Sequence, residues 1–403
     1  MGAKWGIYAP LGDVHHCIAA NIDPAGFGFH TSSSNKATYC IAPAPNGFDV
    51  NSMATTSKQE DPLFCAGGDY TLRIDSYGNP ENPDNTSHSQ IGAFPVACAY
   101  GDLVRDTEFS GTAFVPLDLR VPSGRTLTLH AGARLNVDTL DELNEGFNSH
   151  ELVEINVAGT LHVQGQPGQG NNVRFVSTRT LPQAGDWFGI YASSAGATGQ
   201  ISLDYADIEH SVYGLLAQTN GSGTPCVSIQ HSYFDLNESW SVYLNTNSSG
   251  SISITNNQFN VRYANGVALF GSGTANVLID SNLFAGGLGL TNGVDVELDG
   301  LSNQLQIAHN TFTDFSMGNC IKINLSDASL QQPIIRSNSF SASHDGVYVK
   351  RGSAYIGGTT NELGNVFTEI GWPSDHLVSG LSHCRGLLFP NVGCSASAIL
   401  HRV

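Results

Sequence analysis

Charge is what this chain has least of: Asp, Glu, Lys and Arg together make up 13% of its 403 residues. Lys and Arg number only 17 against 35 Asp and Glu, for a formal net charge of -18. Affinity for nucleic acid comes mainly from basic contacts to phosphate, so nucleic acid is excluded as an unaided partner. An acidic polysaccharide is repelled at long range as well, and would need a local basic patch or a bridging hard cation such as Ca²⁺. No apolar run approaches the ~20 residues of a membrane-spanning helix, so the chain is not expected to be membrane-embedded. The eight cysteines contain no CxxC spacing, which removes the usual zinc and dithiol-exchange motifs. Met1-Gly2-Ala3-Lys4-Trp5 lacks the apolar core of a signal peptide, so secretion, which the cysteines suggest, implies a leader already removed.

What is present points to strands. Gly contributes 45 residues and hydrophobic residues 40%, with Ser, Thr and Asn throughout, which suits short strands and tight turns and gives an all-β expectation. From about residue 200 one pattern recurs. Two alternating apolar residues are followed by a polar corner and then an inward aromatic or aliphatic residue: Ile201-Ser-Leu203 with Ile208, Val227-Ser-Ile229 with Phe234, Ile252-Ser-Ile254 with Asn257 and Phe259. Val277-Leu-Ile279 with Asn282 and Phe284, Leu305-Gln-Ile307 with Asn310 and Phe312, and Ile335 with Asn338 and Phe340 continue it, and Asn365 with Phe367 closes it. A period of about 25 residues is too short for independent domains and fits one coil of a solenoid. Stacking the coils lines the phenylalanines into an internal column. The asparagines form a ladder at a corner, where Asn tolerates the left-handed conformation and its amide bonds along the stack. A second strand follows in each coil: Trp240-Ser-Val242-Tyr-Leu244, Val294-Asp-Val296-Glu-Leu298, Ile321-Lys-Ile323 and Val347-Tyr-Val349.

Looser coils precede these, at Leu127-Thr-Leu129, Ile155-Asn-Val157 and Val173-Arg-Phe175. Val121-Pro-Ser-Gly-Arg-Thr-Leu127, Gly185-Asp186-Trp187-Phe188-Gly189 and the Asn and Phe columns resemble the pectate-lyase-like right-handed parallel β-helix superfamily of bacterial secreted proteins, over about residues 112–370. The resemblance implies a single-stranded right-handed parallel β-helix, which the coils of about 25 residues fit. Residues 1–111 match no coil and carry four cysteines, which suggests a disulfide-stapled N-terminal cap or small subdomain, with the solenoid at 112–372 and a C-terminal cap at 373–403. The preferred pairings are Cys17 with Cys40, Cys65 with Cys98, and Cys384 with Cys394. Cys226 and Cys320 lie too many coils apart to meet.

The superfamily holds lyases, hydrolases, adhesins and fibres, so function must be argued from outward side chains aligned across coils. The second strand supplies Tyr243, Asp295, Lys322 and Tyr348 in one column and Glu297, Asn324 and Lys350 in the next, with Arg351 beside them. Asp295, Glu297, Lys322, Tyr348 and Lys350 are the catalytic candidates, and Tyr243, Asn324 and Arg351 the substrate-binding ones. In a lyase a basic side chain removes the proton beside a uronate carboxylate while Ca²⁺ or a cation neutralises that carboxylate. In a hydrolase two carboxylates flank the glycosidic bond. The polygalacturonase set of Asn-Thr-Asp, Asp-Asp, Gly-His-Gly and Arg-Ile-Lys is missing, no metal-ligand set can be read, and Ca²⁺ is the only cofactor this chemistry would call on. The expectation is therefore a secreted, extracellular or cell-surface carbohydrate-active protein, lyase or hydrolase, whose partner is a polysaccharide or cell-surface glycan. The alternative is a non-catalytic adhesin or structural filament unit using the same face.

Overall fold

The computed structural model describes residues 5–370 except 10–13, 20–26, 32–35, 44–47, 49–52, 66–69, 94, 143–147, 194–199, 219–226, 246–249, 273–274, 300–303, 327–330 and 358–363. The expected C-terminal cap with Cys384 and Cys394, and also Cys226, lie outside the described residues.

Every described regular element is a strand, and three long parallel sheets of ten, twelve and ten strands account for most of them. The chain visits the sheets in turn, once per coil, and pairs each strand with its equivalent one coil later. This is a parallel β-helix. One coil shows the pattern: Ser251–Thr255 lies in the first sheet, Gln258–Asn260 in the second and Asn265–Gly271 in the third. The Phe position, read from sequence as the inward residue after the polar corner, has a short strand of its own. Alternation drives the packing: in Ser251–Thr255 the two isoleucines are buried while their neighbours face outward. The apolar positions merge into one continuous core from Ile74 to Ile356.

Phe234, Phe259, Phe284, Phe312, Phe340 and Phe367 stack face to face inside the second sheet, with centroids 4.7 to 5.2 Å apart. Small residues make room for the rings. A Cβ on Gly293 would come within 2.6 Å of the Cys320 carbonyl and 2.8 Å of the Phe312 ring, and one on Gly346 would meet Phe367 at 2.6 Å. Cys320 occupies the same column as a small buried residue, its thiol on the Ser343 hydroxyl at 3.1 Å.

The asparagine ladder forms with one correction. The left-handed residues are those just before the ladder, among them His231, Asn256, Ser281, His309 and Ser337. The ladder residues bond instead: Asn282 Oδ1 accepts from the backbone N–H and the side-chain amide of Asn257, both at 2.9 Å, while Asn282 Nδ2 donates to the Ile254 carbonyl at 2.8 Å. Asn310, Asn338 and Asn365 repeat this. A sharp corner turns its backbone polar groups inward, and the buried amide satisfies them.

Strands of the long sheets begin before residue 112. Strands Leu72–Arg73 and Val96–Cys98 belong to the second sheet, Gly101–Asp102 to the third and Thr107–Phe109 to the first, so the first coils are built before residue 112. Even the first sixty residues contain parallel ladders: Trp5–Ala9 with Phe27–Thr31, Val14–His15 with Ala37–Thr38, and Ile41–Ala42 with Lys58–Gln59. They carry neither the Asn nor the Phe column, and two of the three pairings are only two residues long. Cys65 and Cys98 form a disulfide with a Cα separation of 6.0 Å. The expected Cys17–Cys40 bridge is not closed: both are free thiols, donating to the carbonyls of His15 and Thr38. They stand side by side, and the Cys40 thiol's hydrogen bond holds the Cys17 thiol down at about 7. Asn85 and Asn237, each in an Asn-X-Ser step, are buried structural amides.

Candidate functional site

The third sheet brings the sequence-derived candidates onto one outer surface. Tyr243, Ala268, Asp295, Lys322 and Tyr348 are successive register partners across five coils. Phe270, Glu297 and Asn324 form the column beside them. That column does not continue to Lys350. A shift of register after Ile323 sets Asn324 opposite Arg351, and Lys350 drops out as an exposed side chain at the strand's end. Alternation within a strand does not encode such a bulge.

Lys322 organises the centre. Its Nζ donates to Asp295 Oδ2 at 3.0 Å and to Glu297 Oε1 at 2.7 Å, which puts both carboxylates on one ammonium. Asn292 Nδ2 adds a bond to the same Asp295 oxygen at 2.9 Å, whereas Asp295 Oδ1 is buried with no hydrogen-bond partner. Burial raises the Asp295 pKa against the pull of Lys322. For Lys322 burial works downward, but the bonds to Glu297 and Asp295 outweigh it and hold the amine above its ordinary value. Lys322 is thus a fixed cation and cannot act as a proton-abstracting base near neutral pH.

An aromatic lane leads into this cluster from the preceding coils. Tyr243 stacks on Phe270 with centroids 4.6 Å apart and meets Tyr213 and Trp240 edge-on at 6.0 and 6.1 Å. Phe188 extends the lane one coil further, 5.6 Å from Tyr213. Sequence reasoning made Tyr243 a binding candidate, set Phe270 in the outward column with Glu297 and placed Trp240 in a second strand without giving either a role, and did not place Tyr213.

Two other features of this sheet went unread. Asn265, Asn292 and Asn319 form a second ladder: the Asn265 side-chain carbonyl accepts from the Asn292 backbone N–H at 2.8 Å, and Asn292 accepts from the Asn319 amide at 2.8 Å. Its signal is an Asn-Gly-Val or Asn-Cys-Ile step at the head of each strand, at 265–267, 292–294 and 319–321. At the sheet's other end Asp118 and Glu154 are buried one coil apart, with the Glu154 backbone N–H donating to Asp118 Oδ1 at 2.8 Å. Burial raises Asp118 to about 7, and the charges of Glu154 and Asp141 add to the rise.

Among the described residues no group of three His, Cys, Asp or Glu is arranged to hold a metal ion. The corner histidines serve locally: His231 Nδ1 meets Asp204 at 3.0 Å and His309 Nδ1 meets Asp280 at 2.7 Å, each bridging to the coil before. No helix among the described residues is long and apolar enough to cross a membrane.

No family model, no curated protein and no solved structure matches this chain. The resemblance to pectate-lyase-like proteins therefore rests on the coil motifs alone, and the chemistry on the side chains just described.

Proposed function

We propose that the protein is a secreted, carbohydrate-active β-helix that lays a polysaccharide along the third sheet and hydrolyses it at Asp295 and Glu297. The observation that carries this reading is the continuity of the aromatic lane with the carboxylate pair. Trp240, Tyr243 and Phe270, packed on one another and half-buried, form an aromatic cluster against which a sugar ring can lie, and the lane leads to two acids with unequal surroundings. Asp295, with its pKa raised by burial, suits the general acid. Glu297 suits the nucleophile, and two carboxylates sharing one ammonium at 3.0 and 2.7 Å are close enough for the ~5–5.5 Å separation of retaining enzymes. A lyase is the weaker fit: Lys322 is protonated and already neutralised, Lys350 is displaced, and two carboxylates against one ammonium repel a uronate.

The second reading is a non-catalytic glycan adhesin, favoured by Lys322, which engages both acids at once. Incubation with neutral and acidic polysaccharides, with and without Ca²⁺, separates the readings. New reducing ends, lost by about 100-fold or more in Glu297→Gln, support hydrolysis. Retention on a glycan column without turnover, abolished in Trp240→Ala, supports the adhesin. Neither cleavage nor retention sinks both, and unsaturated products absorbing in the ultraviolet would reinstate the lyase.

A further inference from the structure

Positive charge is scarce in this protein, yet three of its 17 Lys and Arg residues line one cavity. A cavity of about 470 Å³ on the outer side of the second sheet is lined by Arg134, Arg174, Arg179 and His210, with Phe114 and Asn136 among the others and no carboxylate. Arg134 and Arg174 are register partners on adjacent strands, so their guanidinium groups rise from neighbouring coils ~4.8 Å apart. Arg179 comes from the turn after the strand Val173–Ser177. The acids that hold these side chains are not among the lining residues: Arg174 bonds Glu209 at 3.1 Å and its Nε lies 3.6 Å from Asp207, and Arg179 meets the buried Asp186 at 3.0 Å. Arg134 donates its Nε to Asn136 at 2.7 Å and makes no ion pair among the described residues. Two polar atoms at the wall are buried with no hydrogen-bond partner, Arg174 Nε and His210 Nδ1. His210 is itself only 7% exposed and sits in the left-handed region at φ 70°.

We propose that this cavity binds a sugar bearing a tetrahedral oxyanion, a sulfate or phosphate monoester. Guanidinium forks pair bidentately with oxyanions. A carboxylate offers two oxygens in one plane, whereas a monoester presents three in a tetrahedral array, one toward each of three arginines. The cavity volume lies within the range of sites that hold a small organic ligand and exceeds what a bare ion fills. Phe114, 40% exposed at the wall, gives the sugar ring an apolar face. The site lies on a different sheet from the carboxylate pair, so it stands or falls independently of the glycan lane.

Calorimetric titration of the full chain at low ionic strength, with galactose 6-sulfate, galactose 6-phosphate, galacturonate, galactose and inorganic sulfate, tests the proposal. One equivalent of at least one ester is expected to bind about tenfold or more tightly than inorganic sulfate, galacturonate or galactose, and the stronger of the two esters names the group. Arg134→Gln is expected to lose about tenfold or more in affinity, and Arg134→Lys not to restore it, because an ammonium lacks the fork. Arg179→Gln, at a side chain 51% exposed, gives a second loss without threatening the fold. Galacturonate binding as tightly as the esters overturns the tetrahedral group, and inorganic sulfate binding as tightly overturns the sugar. Absence of heat with either ester, or wild-type affinity in both glutamine variants, overturns the site.

Discussion

Among the carboxylates at the third sheet, Asp118 is one that burial holds well above its ordinary value. Burial lifts it from 3.8 to about 7. Between those pH values the folded chain keeps a proton that the unfolded chain has released, so stability falls as pH rises through the window and the full cost is present above about 7. Asp207 and Asp295 are shifted in the same direction, chiefly by burial. Asp118→Asn keeps an oxygen for the Glu154 N–H and removes the charge. It is expected to melt above the wild type at pH 8, by up to a few kcal/mol, with the gap closing toward pH 4. Thermal melts across that range check it, and a wild type more stable at pH 8 would contradict it. The pairing of Asp295 with Lys322 was legible from alternation and coil spacing alone. Asp118 was not, because it contacts Glu154 across 36 residues, well outside the 25-residue period.

At the scale of elements, the inner asparagine ladder carries more of the corner than any single strand does. Asn282→Ala would remove the partner of the Asn257 backbone N–H, one of the two bonds of the Asn257 amide and the amide donor to the Ile254 carbonyl in a buried corner, while the Asn257 amide keeps its bond to Ile229. The expected loss is about 2–4 kcal/mol, read as a lower denaturant midpoint with an unchanged slope. Asn256→Ala, at the exposed left-handed position beside it, should cost about 1 kcal/mol from backbone strain alone. Equal losses in the two variants would contradict the assignment of roles. Sequence reading found the ladder because its members recur 25 to 28 residues apart. It put the left-handed turn on the wrong residue, since His231, Asn256, Ser281, His309 and Ser337 share a backbone conformation and no side-chain chemistry. The arginine cavity escaped for a related reason: Arg134 and Arg174 belong to early coils whose connections are longer than the period, so nothing in their spacing marks them as neighbours.

At the scale of the molecule, coils that contact mainly their neighbours make stability a sum of similar interfaces. Removing Ile252–Asn276 joins Ser251 to Val277 as Asn276 was joined to it, and the register partners of the two segments coincide. The shortened chain is expected to keep its sheet content and melt at a lower temperature, with Phe234 now against Phe284 and Tyr243 against Asp295. Far-ultraviolet circular dichroism checks this, and loss of structure would show that the coils are not interchangeable. The deletion also takes Phe270 out of the aromatic lane, so glycan retention should weaken even where folding survives.

The ladder has a direction as well as a period. The N–H of Ser232 is capped by Asn257, that of Asn257 by Asn282, and so on to Asn338 and Asn365, each cap arriving 25 to 28 residues later in the chain. On a ribosome adding ~5–20 residues per second, the newest corner waits about one to six seconds for the side chain that closes it. The nascent protein thus grows like a zip with one tooth always open, and the vulnerable edge moves forward with synthesis.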